Sequence, residues 1–266
     1  MKVKQRGPGS FDLKLDQGVE IGRRKTGFLP DGAYLFEDEL RIEQFLTSNV
    51  ITGSAWLLEL YQLSAGEIFF IKDVAEVRPA TQSCGVLYAP FTISQPCFRK
   101  ARAHLIGIAG TTPLPSEFTT QPVLFDNSFD ATPSDVNQVI DILRSGKNLQ
   151  TVELTSKPSL LSLRTKQLID ENYLAYPSIG RIAARLKVTH EHLSRQFKVD
   201  FGLSPSSYLH KLRLADAPLR LAQGEQIVNV SLDAGYNDLS RFYKQFRKNT
   251  STSPGVCQTL LKPSAK

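Results

Sequence analysis

The sequence predicts an α+β protein, with a β-rich barrel or sandwich preceding an all-α domain that holds two helix-turn-helix units. Three observations carry that expectation. From Ala33 to about Ile108 short β-type runs alternate with turn signals, whereas the C-terminal third has helical periodicity. Within that third, a pattern of apolar anchors recurs 49 residues apart. Charge is also divided unevenly: residues 160–266 hold 16 Lys+Arg against 8 Asp+Glu, and residues 1–159 hold 16 against 18. A basic domain joined to a nearly neutral one is the electrostatic footprint of a nucleic-acid module with a separate sensing or assembly domain.

A chain of 266 residues with 41% hydrophobic content has room for two domains and a sizeable core. Cys84, Cys97 and Cys257 are odd in number and widely spaced, with no C-x-x-C. That indicates neither a zinc site nor a disulfide framework, and buried reduced thiols are expected. The N-terminus is charged and has no apolar signal-peptide segment. No run of about 18 apolar residues follows, so the expectation is a cytoplasmic protein, neither secreted nor membrane-spanning.

Residues 1–30 are basic and weakly patterned, reading as a loose lead-in with at most one edge strand; Arg23-Arg24-Lys25 is a small charge run. Candidate strands follow at Leu40–Phe45, Ser54–Leu63, Ile68–Ile71, Ala75–Arg78, Gly85–Tyr88, Thr92–Ser94 and Ala103–Ile108. Turn signals such as Thr52-Gly53, Ala65-Gly66 and Gln95-Pro96 separate them. A metal-dependent β-barrel enzyme needs several histidines converging on one ion, and this region holds His104 alone. His104 reads as a strand residue rather than a ligand. Trp56, Tyr61, Phe69, Phe70, Tyr88, Phe91 and Phe98 read as core, with a small-molecule pocket as the alternative. Arg99-Lys-Ala-Arg102 reads as a solvated basic loop, or as a contact for an anionic effector.

A helix is expected over 133–146, with Thr132 at N-cap, Pro133 at N1 and Gly146 past its end. Its stripe of Val136, Val139, Ile140 and Leu143 either covers the sheet or meets its own copy in a homodimer. Residues 147–159 read as a linker. A helix over Leu161–Tyr176, with a seam of Leu161, Leu168, Ile169 and Tyr173, then opens the helical domain.

Ser178–Leu186 is the supporting helix of the first unit, with Ala183-Ala184 allowing close contact, and Thr189 can cap the helix that follows. In Leu193-Ser-Arg-Gln-Phe-Lys198, Leu193 and Phe197 lie four apart and point inward. Phe242 and Phe246 stand 49 residues later in Gly235-Tyr-Asn-Asp-Leu-Ser-Arg-Phe-Tyr-Lys-Gln-Phe-Arg247. Lys198 matches Arg247, and Pro205 matches Pro254. Upstream of the second copy, Ile227, Val230, Ser231, Leu232 and Ala234 make a short apolar helix that Gly235 ends. Ser204 and Pro205 open a connecting helix, in which Pro218 removes the amide that would bond Leu214. That helix therefore either kinks or stops near Ala217.

Residues from about Thr165 to Gln258 resemble the DNA-binding domain of the AraC/XylS family of bacterial transcription regulators. The resemblance rests on Ile182-Ala-Ala-Arg-Leu-Lys-Val-Thr, Leu193-Ser-Arg-Gln-Phe-Lys, Phe201-Gly-Leu-Ser-Pro-Ser-Ser-Tyr and the Gly235–Arg247 stretch. It implies two recognition helices in successive major grooves of double-stranded DNA. It further implies that Glu191, Ser194 and Arg195 approach base edges, with Leu239, Ser240, Tyr243 and Lys244 at the matched positions of the second unit. Arg195 suits a guanine edge, because a guanidinium can donate two parallel hydrogen bonds. Lys198, Lys211, Arg241, Arg247 and Lys248 are the candidates for phosphate contact. One departure from the pattern is Ser251, where the first unit has Gly202.

Ser64-Ala-Gly-Glu-Ile-Phe-Phe-Ile-Lys and Val86-Leu-Tyr-Ala-Pro-Phe resemble the cupin-like sensing domain that precedes many AraC-type domains. The expected division is a lead-in over 1–30, a regulatory and dimerisation domain over 31–146, a linker over 147–159, a DNA-binding domain over 160–260 and a tail. The implied partners are DNA, a small-molecule effector or antagonist protein and, for an activator, RNA polymerase; no cofactor is implied. The alternative is a DNA-modifying or repair enzyme carrying this DNA-binding domain, which would need a reactive cysteine in a catalytic motif.

Overall fold

The computed structural model describes residues 10–13, 19–72, 75–118, 122–127, 129, 131–152, 158–175, 178–250 and 252–260. A sheet-rich N-terminal part precedes a helical C-terminal part. The strands are β1 (Ser10–Leu13), β2 (Val19–Phe28), β3 (Tyr34–Ile42), β4 (Phe45–Ile51), β5 (Trp56–Lys72), β6 (Ala75–Val77), β7 (Ser83–Tyr88), β8 (Ile93–Ser94), β9 (Cys97–Gly110), β10 (Val123–Asp126) and β11 (Lys147–Thr151). The helices are α1 (Val136–Ser145), α2 (Leu160–Asn172), α3 (Ile179–Arg185), α4 (His190–Phe201), α5 (Pro205–Ala222), α6 (Ile227–Asp233), α7 (Leu239–Thr250) and α8 (Pro254–Leu260). None of the described helices is long and apolar enough to cross a membrane.

All described strand pairings are antiparallel, and β9 is the hub, bonded to β3, β4 and β5. Alternation along each strand sorts side chains onto two faces. Phe36, Tyr61, Tyr88 and Leu105 share one apolar cluster, while their neighbours Leu35, Leu60, Leu87 and Ile106 share another. The second face is covered by α1 through Val136, Val139 and Leu143. Among the described residues Leu219 of α5 is the one helix side chain in the first cluster, so the sheet wraps over itself.

Several sequence expectations change in three dimensions. The candidate strand Leu40–Phe45 straddles the end of β3 and the start of β4. Ala65-Gly66 is not a turn: β5 runs straight through it, with register shifts against β9 on either side of Ala65. Gly66, at φ +74°, absorbs this β-bulge, where a side chain would meet the backbone of Arg99 and Lys100. The lead-in contributes two strands, β1 and β2, and the linker contributes β11, each paired in the sheet.

Helix α1 starts at Val136, three residues later than expected. Asp135 is its N-cap, accepting from the Gln138 amide at 3.0 Å, while the Thr132 hydroxyl instead donates to Glu37 at 2.8 Å. Gly146 has φ −57°, so no left-handed turn requires it; an added Cβ would lie 2.7 Å from the Phe125 ring. The apolar stripe of α1 packs on the sheet of its own chain, with Val136, Val139 and Leu143 buried and Ile140 half-buried.

In the helical part, α2 ends at Asn172 and a 3-10 turn carries on over Tyr173–Ala175. Ile169 is buried, with Leu168 and Tyr173 packed against the same core. The connecting helix α5 neither stops at Ala217 nor needs to: it runs through Pro218, which is buried, to Ala222. Ser251 lies outside the described residues.

Candidate nucleic-acid interface

Each helix-turn-helix unit is built outward from a buried aromatic pair. In the first, Leu193, Phe197 and Tyr208 are wholly buried, with the Phe197 ring 4.6 Å from Phe201 and 5.9 Å from Tyr208. In the second, Phe242 and Phe246 are wholly buried, their rings 5.5 Å apart, and the Tyr236 ring packs at a steep tilt 5.6 Å from Phe242. Four-residue spacing puts these anchors on one side of α4 and of α7. The remaining directions of both helices then face solvent.

Local signals set where each helix begins and ends. Thr189 caps α4 by accepting from the His192 amide at 3.2 Å, and Gly202 closes it in the left-handed region at φ +75°. Asp238 plays the capping part for α7, accepting from the Ser240 amide at 2.9 Å. Ser204 accepts from the Ser207 amide at 3.2 Å, with Pro205 in the first turn of α5, as the Ser-Pro pair predicts. Ala183 is buried against α4 while Ala184 is exposed, so only one of the two alanines serves the close contact.

The side chains singled out from the sequence emerge together on these exposed surfaces. On α4, Glu191, Arg195 and Lys198 are exposed and Ser194 is half-buried. On α7, Leu239, Ser240, Arg241, Lys244 and Arg247 are exposed and Tyr243 is half-buried. Leu239, Ser240, Tyr243, Lys244 and Arg247 line one open concavity of about 590 Å³. Among the described residues none of Arg195, Lys198, Arg241, Lys244 and Arg247 forms an ion pair, so their charge is directed outward. Glu191 lies in the first turn of α4, where a carboxylate is favoured by the unpaired amides of the helix start. The side chain of Lys248 lies outside the described residues.

Other candidates fall away from this surface. Arg99 is paired with Glu67 at 2.9 Å and Glu76 at 3.1 Å and lies over the Phe69 ring, so its charge is already met within the sheet. Trp56, Tyr61, Phe69, Phe70, Tyr88 and Phe98 are all buried core, while Phe91 packs edge-on against Tyr173, 5.8 Å away. Cys84, Cys97 and Cys257 are all buried, and burial pushes the Cys84 and Cys257 thiols up to about 12.

Sequence reasoning missed a set of buried and half-buried polar residues that lock the helical part together. The Asp170 carboxylate accepts from Lys166 at 2.6 Å and from the Tyr208 hydroxyl at 2.7 Å. Arg220 joins Glu225 and Asp233 at 2.5 Å each, tying the end of α5 to α6. Asp216 sits near the centre of α5 with 2% exposure and accepts from Ser54, in the loop between β4 and β5. Only the spacing of Lys166 and Asp170, four apart on α2, carried a local signal; the Ser54 and Asp216 partners are 162 residues apart.

Comparison with known proteins agrees with this geometry. Residues 182–259 match the family described as a helix-turn-helix domain. Over 87 residues, 32% of the chain, it is 34% identical to the HTH-type transcriptional activator RhaS of Pectobacterium carotovorum, and the match spans 31% of that relative's length. RhaS of Escherichia fergusonii is similar over 92% of the chain and 94% of its own length, at 26% identity. Among solved structures, unsaturated fatty acid bound ToxT from Vibrio cholerae aligns with 94% of the chain and 98% of its own, at 9% identity and a TM-score of 0.45.

Proposed function

We propose, from the premise that residues 182–259 belong to the AraC-type helix-turn-helix family, that this protein is a sequence-specific DNA-binding transcription regulator. One observation carries the reading: two equivalent helices, each anchored by a buried aromatic side chain, each present outward-facing cations. A major groove admits a helix of this kind, and phosphates supply the charge that such cations lack. In this reading Glu191, Ser194 and Arg195 of α4, and Leu239, Ser240, Tyr243 and Lys244 of α7, approach base edges. Lys198, Lys211, Arg241 and Arg247 meet phosphates and set register.

The proposed division of labour follows the chain. The sheet domain, extending through β11, senses a small molecule or an antagonist protein, and residues 160–260 bind double-stranded DNA. RNA polymerase is the further partner if the regulator activates. No observation favours a DNA-modifying enzyme: Cys84, Cys97 and Cys257 are all buried, and burial raises the Cys84 and Cys257 thiols above the ordinary range.

The test is binding of the full chain to a random-sequence duplex library across a salt series. A regulator of this kind enriches discrete sequences, protects two segments about 34 Å apart along the duplex, and loses affinity steeply with salt. A folded chain that enriches no duplex overturns the reading.

A further inference from the structure

Helix α5 packs against α2 and α4 on one side, against α6 and α8 on the other, and against β1 and β4 of the sheet. Within two turns of α5, four side chains reach three neighbours, namely the first unit, the sheet domain and the second unit. Arg213 donates to the Tyr173 carbonyl at 2.5 Å, beside the first unit. Asp216 accepts from the sheet domain, and Leu219 is buried in the apolar cluster of the sheet. Arg220 pairs with Asp233 at the end of α6, the supporting helix of the second unit.

The Asp216 contact is closely fitted. Its carboxylate accepts from the Ser54 amide at 2.8 Å and the Ser54 hydroxyl at 3.1 Å, and also from the Tyr173 hydroxyl. A Cβ added at Gly53 would lie 1.9 Å from Asp216 Oδ1, so the carboxylate occupies the space that a side chain there would take. The loop that presents Ser54 is itself held. The Thr52 amide donates to the Thr92 carbonyl at 3.1 Å, and the Thr52 hydroxyl donates to the Ala89 carbonyl at 2.7 Å. The Phe91 amide donates to the Gly53 carbonyl at 2.9 Å.

The same pair of loops grips the first unit. The Phe91 carbonyl accepts from Lys166 of α2 at 2.6 Å, and Ile51 and Ile93 belong to the apolar core of the first unit. At the other end, the Tyr34 hydroxyl of β3 donates to the Thr250 carbonyl, at the end of α7, at 3.2 Å. The sheet domain therefore holds both units and the helix between them.

We infer that Asp216 is a positioning residue: through its bonds to the Gly53-Ser54 loop, the sheet domain sets the mutual placement of α4 and α7, and so the half-site spacing that the protein accepts. This rests on the DNA-binding reading above. A buried carboxylate that accepts three hydrogen bonds, two of them from Ser54 across the domain boundary, leaves α5 one seating, whereas a loosened contact allows several. Each inserted base pair moves one half-site by about a tenth of a turn relative to the other, so a fixed pair of helices must penalise it.

The experiment uses the full chain and the duplex that the wild type enriches from a random library, with one to five base pairs inserted between its two protected segments. The wild type is expected to lose about tenfold in affinity at the first insertion, within the 5–150-fold range usual for coupled sites. Gly53→Ala, which displaces the carboxylate, and Asp216→Asn are expected to cut that penalty below about threefold. Gly53 lies in the sheet domain, so its effect on spacing must cross the boundary; loss of stability alone would weaken all spacings equally. Should either variant fail to melt cooperatively, Ser54→Ala removes one donor while keeping the amide, and a smaller shift in the same direction is expected. Folded variants with the wild-type spacing penalty overturn the inference, as does a wild type indifferent to spacing. A wild type that enriches no duplex overturns the DNA reading instead.

Discussion

Lys187 and Gly235 occupy the same place in the two supporting helices: each follows the C-cap residue, Leu186 or Ala234, with left-handed backbone at φ +57° and +85°. The Lys187 amide donates to the Ala184 carbonyl at 3.1 Å and the Gly235 amide to the Leu232 carbonyl at 2.8 Å. The following amides, of Val188 and Tyr236, donate five residues back, to Ala183 at 3.0 Å and Ser231 at 2.9 Å. Both supporting helices thus end in the same reciprocal closure, known as the Schellman motif. The turn onward differs: two residues, Val188 and Thr189, lead into α4, and three, Tyr236 to Asp238, lead into α7.

Left-handed backbone costs an L-residue with a Cβ roughly 1–2 kcal/mol. A Cβ at Gly235 would meet nothing nearer than Arg213 at 3.8 Å, so strain alone decides the outcome. Gly235→Ala should destabilise by about 1 kcal/mol, and Lys187→Gly should stabilise by less, since glycine also frees the unfolded chain. Urea unfolding of both variants checks the pair; equal and same-signed effects contradict the shared geometry.

Arg195→Ala is expected to cost about 1–3 kcal/mol at the enriched sequence and to relax specificity at one position. Lys198→Ala should weaken all sequences about equally and flatten the salt dependence. Affinities across a set of single-base operator variants separate the two. Interchangeable profiles would show that the roles are wrongly assigned.

Pro218 removes one hydrogen bond from α5 and crowds the Leu214 carbonyl, a cost of about 3 kcal/mol against alanine. Its ring is buried, however, and removing two methylenes loses about 0.8 kcal/mol each. Pro218→Ala should therefore stabilise by roughly 1 kcal/mol. Operator affinity should change with it, because α5 carries both units. A rise in melting temperature with unchanged affinity and footprint would make the proline incidental to docking.

His210 gives a pH dependence with a definite sign. Partial desolvation of this surface residue, and then the charges of Lys211, Arg213 and Arg241, hold its imidazole below the ordinary histidine value; the Tyr236 ring packs edge-on, 5.2 Å away. The folded state therefore takes up the proton less readily than the unfolded chain. Stability from this residue is present above the unfolded value, about 6.5, and is lost as pH falls through it. Relative to His210→Gln, the wild type should lose stability between about pH 7 and pH 5. Thermal melts of both across that range test this, and parallel curves would contradict it.

Much of the helical domain was legible because its signals are local. The four-residue spacing of Leu193 with Phe197 and Phe242 with Phe246, the Thr189 cap and the Ser204-Pro205 start each act within one or two turns, and the structure places all of them as expected. The outward directions of Arg195, Lys198, Lys244 and Arg247 follow from the same spacing. The sheet was legible only as texture. Whether Ala65-Gly66 turns the chain or bulges inside β5 depends on the β9 strand some 35 residues away, and a period of two says nothing of partners. The stripe of α1 fits a sheet or a second copy equally well, and only the fold decides that it covers the sheet. Asp216 is the clearest case. In sequence it is a charge in an amphipathic helix; its burial and its bonds to Ser54 arise when the two domains meet, through contacts that no local pattern encodes.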